Sequence, residues 1–277
     1  MKKLDTALMH PRDQITMVID KIYKSGLTTT SGGNVSIIDD NGDIWVTPSA
    51  IDKGSLRPSD IMVIRKNGAI EGRHKPSSEY PFHKAIYECR PDIKAIIHAH
   101  QPALVSFSIV RQIPNTNVIP QAKHICGGIG YAPYQLPGSV GLGKVIADEF
   151  EKGFEAVIME NHGTVVGGTD LKDAFQRFET LEFCCRTILY GNMIGTPNYL
   201  TDAQIEEFEA QIPHLLPEMK EVEHPSEERA IREEIVRIVH RACSQGLMIS
   251  SYGTVSVRWS GNDFLITTTG ESRWDIQ

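Results

Sequence analysis

A buried β-strand is predicted by the apolar run from Ile93 to Ala99, which ends in His98-Ala99-His100. Side chains alternate with period two along a strand, so His98 and His100 point to the same face. Their imidazole rings then lie close enough together to bind a single metal ion. An isolated His-x-His pair is also common in ordinary strands, so this pattern by itself leaves both interpretations open.

A second apolar run ends in the same way, with Met159 followed by Glu160-Asn161-His162-Gly163. Three neutral imidazoles with one further position open form the ligand set of a catalytic zinc site rather than of a closed structural one. A carboxylate is available from Glu79, in the short polar segment Pro76-Ser77-Ser78-Glu79. We therefore interpret His98, His100 and His162 as candidate metal ligands.

The composition of the chain excludes several classes of function. The 277 residues carry a net charge of −7 and no basic stripe, which argues against nucleic-acid binding. Neither a signal peptide nor an apolar run of the roughly 20 residues needed to cross a bilayer is present, so no membrane partner is expected. The five cysteines are odd in number and form no Cys-x-x-Cys pair, which favours a reducing, cytoplasmic location. Cys184 and Cys185 are expected to be small buried side chains of a helix.

Hydrophobic periodicity predicts alternating helices and strands. The predicted helices are residues 12–25, 80–89, 143–153, 170–190 and 201–211, and the predicted strands include 44–47, 61–64, 93–99, 156–159 and 164–166. Asp170 is the expected N-cap of the long helix. Because residues 102–143 are rich in proline and glycine, a long irregular loop that is functional or mobile is predicted there.

The C-terminal part of the chain resembles its beginning. A shift of 220 residues aligns Gly253-Thr254-Val255-Ser256 with Gly33-Asn34-Val35-Ser36, and 263–270 with 43–50, without a gap. We predict a first unit in residues 1–212, a linker in 213–227 and a truncated second unit in 228–277. The second unit lacks a histidine pair, so no catalytic site is expected in it. The chain is then the front part of a longer polypeptide, with Gln277 not its native C-terminus.

Five motifs in residues 10–200 together resemble the class II aldolase/adducin family, of the L-fuculose-phosphate aldolase type. They are Ser31-Gly32-Gly33-Asn34, Thr47-Pro48-Ser49-Ala50, Pro76-Ser77-Ser78-Glu79, His98-Ala99-His100 and Asn161-His162-Gly163. The resemblance implies an α/β fold, an α/β/α sandwich with a mostly antiparallel central sheet. It also implies a homo-oligomer, such as a tetramer, that acts on a small phosphorylated sugar.

The resemblance also implies roles for individual residues. His98, His100 and His162 become the ligands of one Zn²⁺ or other divalent metal per unit, and Glu79 becomes the general acid/base. Backbone N–H groups and small polar side chains bind the substrate phosphate, and no cationic residue takes part. The residues are Gly33, Asn34, Ser49, Ala50, Ser77 and Ser78. Tyr131 and Tyr134 are candidate proton donors, with ordinary loop aromatics as the alternative. Ala50 departs from the family, whose aldolases tend to have glycine there.

Three functions remain open at this stage. The first is a zinc-dependent lyase that cleaves a phosphorylated sugar by a retro-aldol reaction through an enediolate. The second is a sugar-phosphate dehydratase or 4-epimerase, because these reactions begin in the same way. The third is a non-catalytic, adducin-like scaffold, which would be expected to lack the three histidines.

Overall fold

The computed structural model describes residues 8–212 and 224–276, which divide into two compact units at residues 205 and 206. The larger unit contains an eight-stranded mixed sheet in the order β4-β3-β2-β1-β5-β8-β7-β6. Its strands are β1 Asn34–Ile38, β2 Ile44–Val46, β3 Met62–Ile64, β4 Ile70–Glu71, β5 Ala95–Ala99, β6 Gly130–Ala132, β7 Ala156–Met159 and β8 Gly163–Gly168. Only the β6–β7 pair is parallel within this sheet, so the prediction of a mostly antiparallel sheet is confirmed.

Over the described residues the α-helices of the chain are α1 Pro11–Lys24, α2 Tyr80–Cys89, α3 Pro102–Ile109, α4 Pro120–Cys126, α5 Val140–Glu151, α6 Leu171–Ile194, α7 Asp202–Ala210 and α8 Ser226–Ser244. Those that pack against the eight-stranded sheet form two groups. Helices α2 and α5 bury an apolar cluster against the sheet that includes Phe82, Ile96 and Val165. Helices α1, α3 and α6 pack against β1, β5 and β8, where Ile97 faces away from Ile96 by strand alternation. This arrangement gives the expected helix–sheet–helix layers.

Strand β5 lies in the interior of the sheet, between β1 and β8. All five of its residues are buried, as the apolar run predicts. In the β1–β5 register Asn34 lies opposite His98, and in the β5–β8 register His98 lies opposite Val165. The sheet thereby places the motifs at the start of β1, the end of β5 and the start of β8 side by side.

The prediction of a long irregular loop over residues 102–143 is wrong. Helices α3 and α4, strand β6 and the first turn of α5 occupy most of it. The reason is a distant contact: the buried Glu182 of α6 accepts hydrogen bonds from the backbone N–H groups of Ala103 and Leu104, each at 3.3 Å. These N–H groups in the first turn of α3 have no partner within the helix. Proline at the start of each helix marks its first turn rather than a loop.

Smaller differences concern the ends of elements. Helix α5 begins at Val140, three residues before the predicted start, and α6 runs to Ile194 rather than Tyr190. The Asp170 side chain accepts a hydrogen bond from the backbone of Asp173, so the predicted N-cap is confirmed. Cys184 and Cys185 are fully buried, as predicted.

The smaller unit contains α8 and a two-stranded antiparallel sheet, β9 Ser256–Ser260 and β10 Asp263–Ile266. Its core is a cluster formed by Ile235, Val239 and Cys243 of α8, against which partly buried side chains of the hairpin pack. Most of the predicted linker, residues 213–223, lies outside the described residues. Among the residues that are described, no helix combines the length and the apolar character needed to cross a membrane.

Candidate active site

His98 and His100 lie at the carboxyl end of strand β5, on the face of the sheet covered by α2. The ring centroids of His98 and His100 are 5.0 Å apart, and Phe82 of α2 packs edge-on against His98. His98 is fully buried, and His100 is partly buried. The strand alternation that brings the two rings together is the one expected from the sequence.

A tight turn between β7 and β8 delivers His162 to the same place. Asn161 adopts a left-handed conformation with φ 55°, and the His162 N–H donates to the Met159 carbonyl. The His162 ring lies 5.0 Å from that of His98 and 5.2 Å from that of His100. A Cβ at Gly163 would lie 2.6 Å from the Ala99 carbonyl oxygen, so only glycine lets this turn approach β5 so closely.

Glu79 lies at the N-terminus of α2 and completes the cluster. Its Oε1 lies 3.1 Å from His162 Nε2, and its Oε2 lies 3.2 Å from His98 Nε2. Burial opposes ionisation of this carboxyl, but positive charge at the position that His98 and His162 face outweighs burial and lowers the pKa of Glu79. Burial, reinforced by the neighbouring histidines, lowers the pKa of His100 to about 4, which keeps its ring nitrogens free of an extra proton.

The hydrogen bonding of His98 fits a metal ligand. Its Nδ1 lies 2.9 Å from the Thr164 carbonyl oxygen, which can only accept, so Nδ1 carries the hydrogen. In the neutral ring Nε2 then presents a lone pair to the Glu79 carboxylate, and this Nε2 has no hydrogen-bond partner in the described structure. A lone pair facing a carboxylate is repulsive unless a proton or a cation lies between them. One ring nitrogen from each of the three histidines lies within 4.8 Å of the others, so these residues fit a divalent metal.

A chain of buried hydrogen bonds orients Asn34, whose Nδ2 donates to Glu79 Oε2 at 2.7 Å. Since the amide nitrogen faces Glu79, its oxygen faces His83 Nε2 and accepts from it. His83 Nδ1 then accepts from Ser36 Oγ at 2.7 Å, and Ser36 Oγ accepts from Tyr87 at 2.7 Å. Burial lowers the pKa of His83 to about 3, so the ring stays neutral and its single hydrogen is available to Asn34.

The sequence reasoning missed His83, Ser36 and Tyr87. A signal was present: His83 and Tyr87 are four residues apart on the apolar face of α2, and Ser36 interrupts an apolar strand. Buried polar groups require partners, so three such positions predict a mutual network. Only the tertiary structure identifies Asn34 and Glu79 as the end of that network.

A cavity of about 180 Å³ opens beside the histidines. It is lined by Ser31, Gly32, Gly33, Asn34, Pro48, Ser49, Ala50, Lys53, Ser77, Ser78, Glu79, His100 and His162. Backbone contacts join its loops: the Ser77 N–H donates to the Thr47 carbonyl at 3.1 Å, and the Ser49 N–H donates to the Lys75 carbonyl at 2.9 Å. All six residues predicted to surround a phosphate therefore line one cavity, next to two of the predicted metal ligands.

Two positions on the cavity wall have left-handed backbone. Gly33 has φ 72°, and a Cβ there would lie 2.7 Å from the His98 carbonyl oxygen, so glycine is required for this close approach. Ala50 has φ 56°, a conformation that costs a non-glycine residue about 1 kcal/mol. Glycine at this position would adopt the same conformation without that cost. The Ala50 side chain is exposed.

The cavity also contains a cation that the sequence reasoning missed. Lys53 is 2 % exposed, and its Nζ donates to the Pro48 carbonyl at 3.1 Å. The resemblance implies phosphate binding without a cationic residue, whereas the structure places Lys53 among the residues that line the cavity. A lysine in a polar, glycine-containing loop gives no signal of burial, which is why sequence alone did not single it out.

Tyr131 and Tyr134 do not line the cavity within the described part of a single chain. Tyr131 lies in β6, and its buried hydroxyl has no hydrogen-bond partner among the described residues. Tyr134 is 56 % exposed, and its backbone N–H donates to Glu160 at 3.0 Å. The structure thus brings together the histidines, Glu79 and the loop residues, and leaves both tyrosines outside this group.

Residues 13–189 match the family described as the class II aldolase and adducin N-terminal domain. The chain belongs to the class II aldolase/adducin family. This match lies within the larger unit and contains all five sequence motifs. Class II aldolases are metal-dependent lyases, and the prediction of an enzyme of this type is confirmed.

Characterised relatives in this family catalyse more than one reaction. The chain is 32 % identical over 205 residues to a 5-deoxy-D-ribulose 1-phosphate aldolase of Bacillus thuringiensis serovar kurstaki, covering 72 % of this chain and 93 % of the relative. It is 33 % identical over 193 residues to a 3-oxo-tetronate 4-phosphate decarboxylase of Haemophilus influenzae, covering 68 % and 90 % respectively. A solved L-fuculose 1-phosphate aldolase is similar with a TM-score of 0.65 and 30 % identity, covering 73 % of this chain and 95 % of that one.

Proposed function

We propose that the chain is a metal-dependent aldolase that cleaves a small phosphorylated ketose into an aldehyde and a dihydroxyacetone-phosphate-type fragment. The observation that carries this proposal is the position of Glu79, between His98 and His162 and at the wall of a cavity lined by small polar groups. His98, His100 and His162 would hold one Zn²⁺ or other divalent metal. When bound, the metal supplies Lewis acidity to a carbonyl oxygen of the substrate.

The chain's own residues supply binding and proton transfer. In the condensation direction the Glu79 carboxylate removes a proton from the carbon next to the carbonyl group, and in the cleavage direction it returns that proton to the same carbon. Asn34, oriented by His83, directs its amide N–H to Glu79 Oε2 and so holds the carboxylate in place. We assign the proton of the substrate hydroxyl to Tyr134 of a neighbouring copy in a homo-oligomer, because the Tyr134 side chain is exposed whereas the Tyr131 hydroxyl is buried.

Decarboxylation is a second candidate, favoured by the similarity to the 3-oxo-tetronate 4-phosphate decarboxylase. When the carbon next to a carbonyl group loses carbon dioxide, an electron pair remains on that carbon. Cleavage of an aldol leaves an electron pair at the same position. The same carboxylic acid of Glu79 would then protonate that carbon. A scaffold without activity is disfavoured, because the chain keeps all four polar groups of the cluster.

Product analysis of the metal-loaded enzyme tests these candidates. We expect release of dihydroxyacetone phosphate and an aldehyde from a ketose 1-phosphate such as 5-deoxyribulose 1-phosphate or fuculose 1-phosphate. If the only reaction observed is release of carbon dioxide from 3-oxo-tetronate 4-phosphate, the decarboxylase is favoured instead. Absence of turnover on the whole panel, with stoichiometric metal present, would contradict both.

We also propose that residues 228–277 are a second copy of the opening helix and first hairpin of the larger unit. Within each unit, equivalent backbone contacts recur after a shift of 220 residues. Thr47 N–H donates to the Val35 carbonyl at 3.1 Å, and Thr267 N–H donates to the Val255 carbonyl at 3.0 Å. Each threonine hydroxyl in turn accepts from the valine N–H, at 3.2 Å and 3.3 Å. Such agreement supports a common origin for the two segments.

Deletion of residues 225–277 is expected to leave metal content and turnover unchanged. Every residue that we assign to the reaction lies between positions 33 and 162, and the family match ends at residue 189. Metal analysis and kinetics of the truncated chain, compared with the full chain at equal concentration, provide the measurement. Loss of both properties from a folded truncated chain would mean that the segment contributes to the site or to its assembly.

A further inference from the structure

The ammonium group of Lys53 is buried at the cavity with little to balance its charge. The side chain is 2 % exposed, and the acceptor for Nζ among the described residues is a neutral carbonyl, that of Pro48. No described carboxylate lies within ion-pair distance of it. Burial of a charge is unfavourable unless the charge is paired and hydrogen-bonded. Burial accordingly lowers the pKa of Lys53 to about 8, although the charges of Asp52 and Glu79 act in the opposite direction.

The surroundings of this ammonium favour an anion. Lys53 lines the cavity, and so does Pro48, whose carbonyl accepts the hydrogen bond from Nζ. Apart from Glu79 and two histidines, the other groups that line the cavity include hydroxyls, an amide and backbone segments in left-handed conformation at Gly33 and Ala50. Turns of this kind direct backbone N–H groups towards an anion. A dianionic phosphoryl group would supply the charge that the ammonium lacks.

The second copy of the hairpin provides an internal comparison. The residue equivalent to Lys53 is Arg273, which is 3 % exposed. Its guanidinium donates to three carbonyls of its own loops, those of Gly253, Thr268 and Glu271, at 2.8 to 3.0 Å. A cation that serves only to join these loops thus donates several hydrogen bonds to carbonyls. Lys53 donates one, to the Pro48 carbonyl, which is equivalent to that of Thr268. Two N–H groups of Lys53 therefore remain for a ligand.

We propose that Lys53 is the cationic binding residue for the phosphate group of the substrate. This inference rests on the proposed function only in taking a phosphorylated sugar as the ligand. It adds a residue to the site that the resemblance did not supply, and it gives the affinity for phosphate an electrostatic component. The ammonium group acts in binding rather than in proton transfer, because Glu79 holds the position next to the histidines.

Lys53→Met tests the proposal, because methionine keeps the length of the buried side chain and removes the charge. We expect KM for the phosphorylated substrate and the inhibition constant of inorganic phosphate each to rise about 10- to 100-fold, the range for hydrogen bonds to charged groups. We expect kcat and metal content to change little, and the melting temperature without phosphate to stay the same or rise. Lys144→Met, which removes an exposed lysine of α5, is the matched control and should change none of these quantities.

The opposite pattern would overturn the proposal. If a folded Lys53→Met variant has an unchanged KM and an unchanged inhibition constant for phosphate, Lys53 does not bind the phosphate group. A lower melting temperature with unchanged KM would show that Lys53 joins the loops, as Arg273 does in its own unit. The proposed function can fail while this assignment holds. In that case the wild type converts no sugar phosphate, but inorganic phosphate raises the melting temperature of the wild type and not that of Lys53→Met.

Discussion

The His98→Ala, His100→Ala double variant is expected to bind no stoichiometric metal and to lose turnover by roughly a thousandfold or more. Two of three imidazole ligands are absent from it, and His162 alone cannot hold a divalent metal in competition with water. A bound metal contributes several kcal/mol of charge stabilisation in the transition state, and each 1.4 kcal/mol or so corresponds to a factor of about ten in rate. Metal analysis of the purified variant, together with kinetics, provides the measurement.

Folding of this variant needs its own control. His98 is fully buried and donates to the Thr164 carbonyl, so its removal leaves a small cavity and an unpaired carbonyl group. Circular dichroism and thermal melting establish that the variant is folded. His124→Ala removes an exposed histidine of α4 outside the cluster and should keep full metal content. Full stoichiometric metal in a folded double variant would show that the three histidines are not the metal site.

Glu79→Gln is expected to lower turnover by roughly two to four orders of magnitude while largely preserving substrate binding. Glutamine has nearly the same shape, so it can still accept the hydrogen bond that Asn34 donates to the carboxylate at 2.7 Å. It cannot take up a proton from carbon, which is the step assigned to Glu79. Steady-state kinetics on the substrate found by product analysis would show a large fall in kcat with a small change in KM.

The matched control for this variant is Glu88→Gln. Glu88 lies on the same helix, α2, and its side chain is exposed, with Lys84 at 3.6 Å. Its removal tests whether the loss of one negative charge on α2 is enough to change activity. Wild-type turnover in Glu79→Gln would assign proton transfer elsewhere, with Tyr131 and Tyr134 as the next residues to replace.

The predicted site residues that the structure brings together share one property: a local pattern specifies their position. The alternation of a strand places His98 and His100 on one face, whatever the strand pairs with. A tight turn after an apolar strand places His162 at the end of that strand, and a polar segment before a helix places Glu79 at the helix N-terminus. The resemblance to the family then joined these separate elements into one site.

The residues that were missed depend on contacts across the fold. Glu182 supports the start of α3 from 79 positions away, so the helices within residues 102–143 were predicted as a loop. His83 is an ordinary polar residue of a helix until Asn34 and Ser36 lie opposite it in the sheet. Lys53 lies in a polar segment typical of a surface loop, and it is buried because that segment folds against α1.

The sequence by itself determined the family, the mostly antiparallel sheet and the identities of the three histidines and Glu79, because strand alternation and turn chemistry act over a few residues. Tertiary structure alone decided which polar side chains are buried around these groups. Burial depends on packing between segments distant in sequence, and burial determines the charge and the hydrogen-bond partner of each polar side chain. The orientation of Asn34 by His83 and the unbalanced ammonium of Lys53 both arise from that packing.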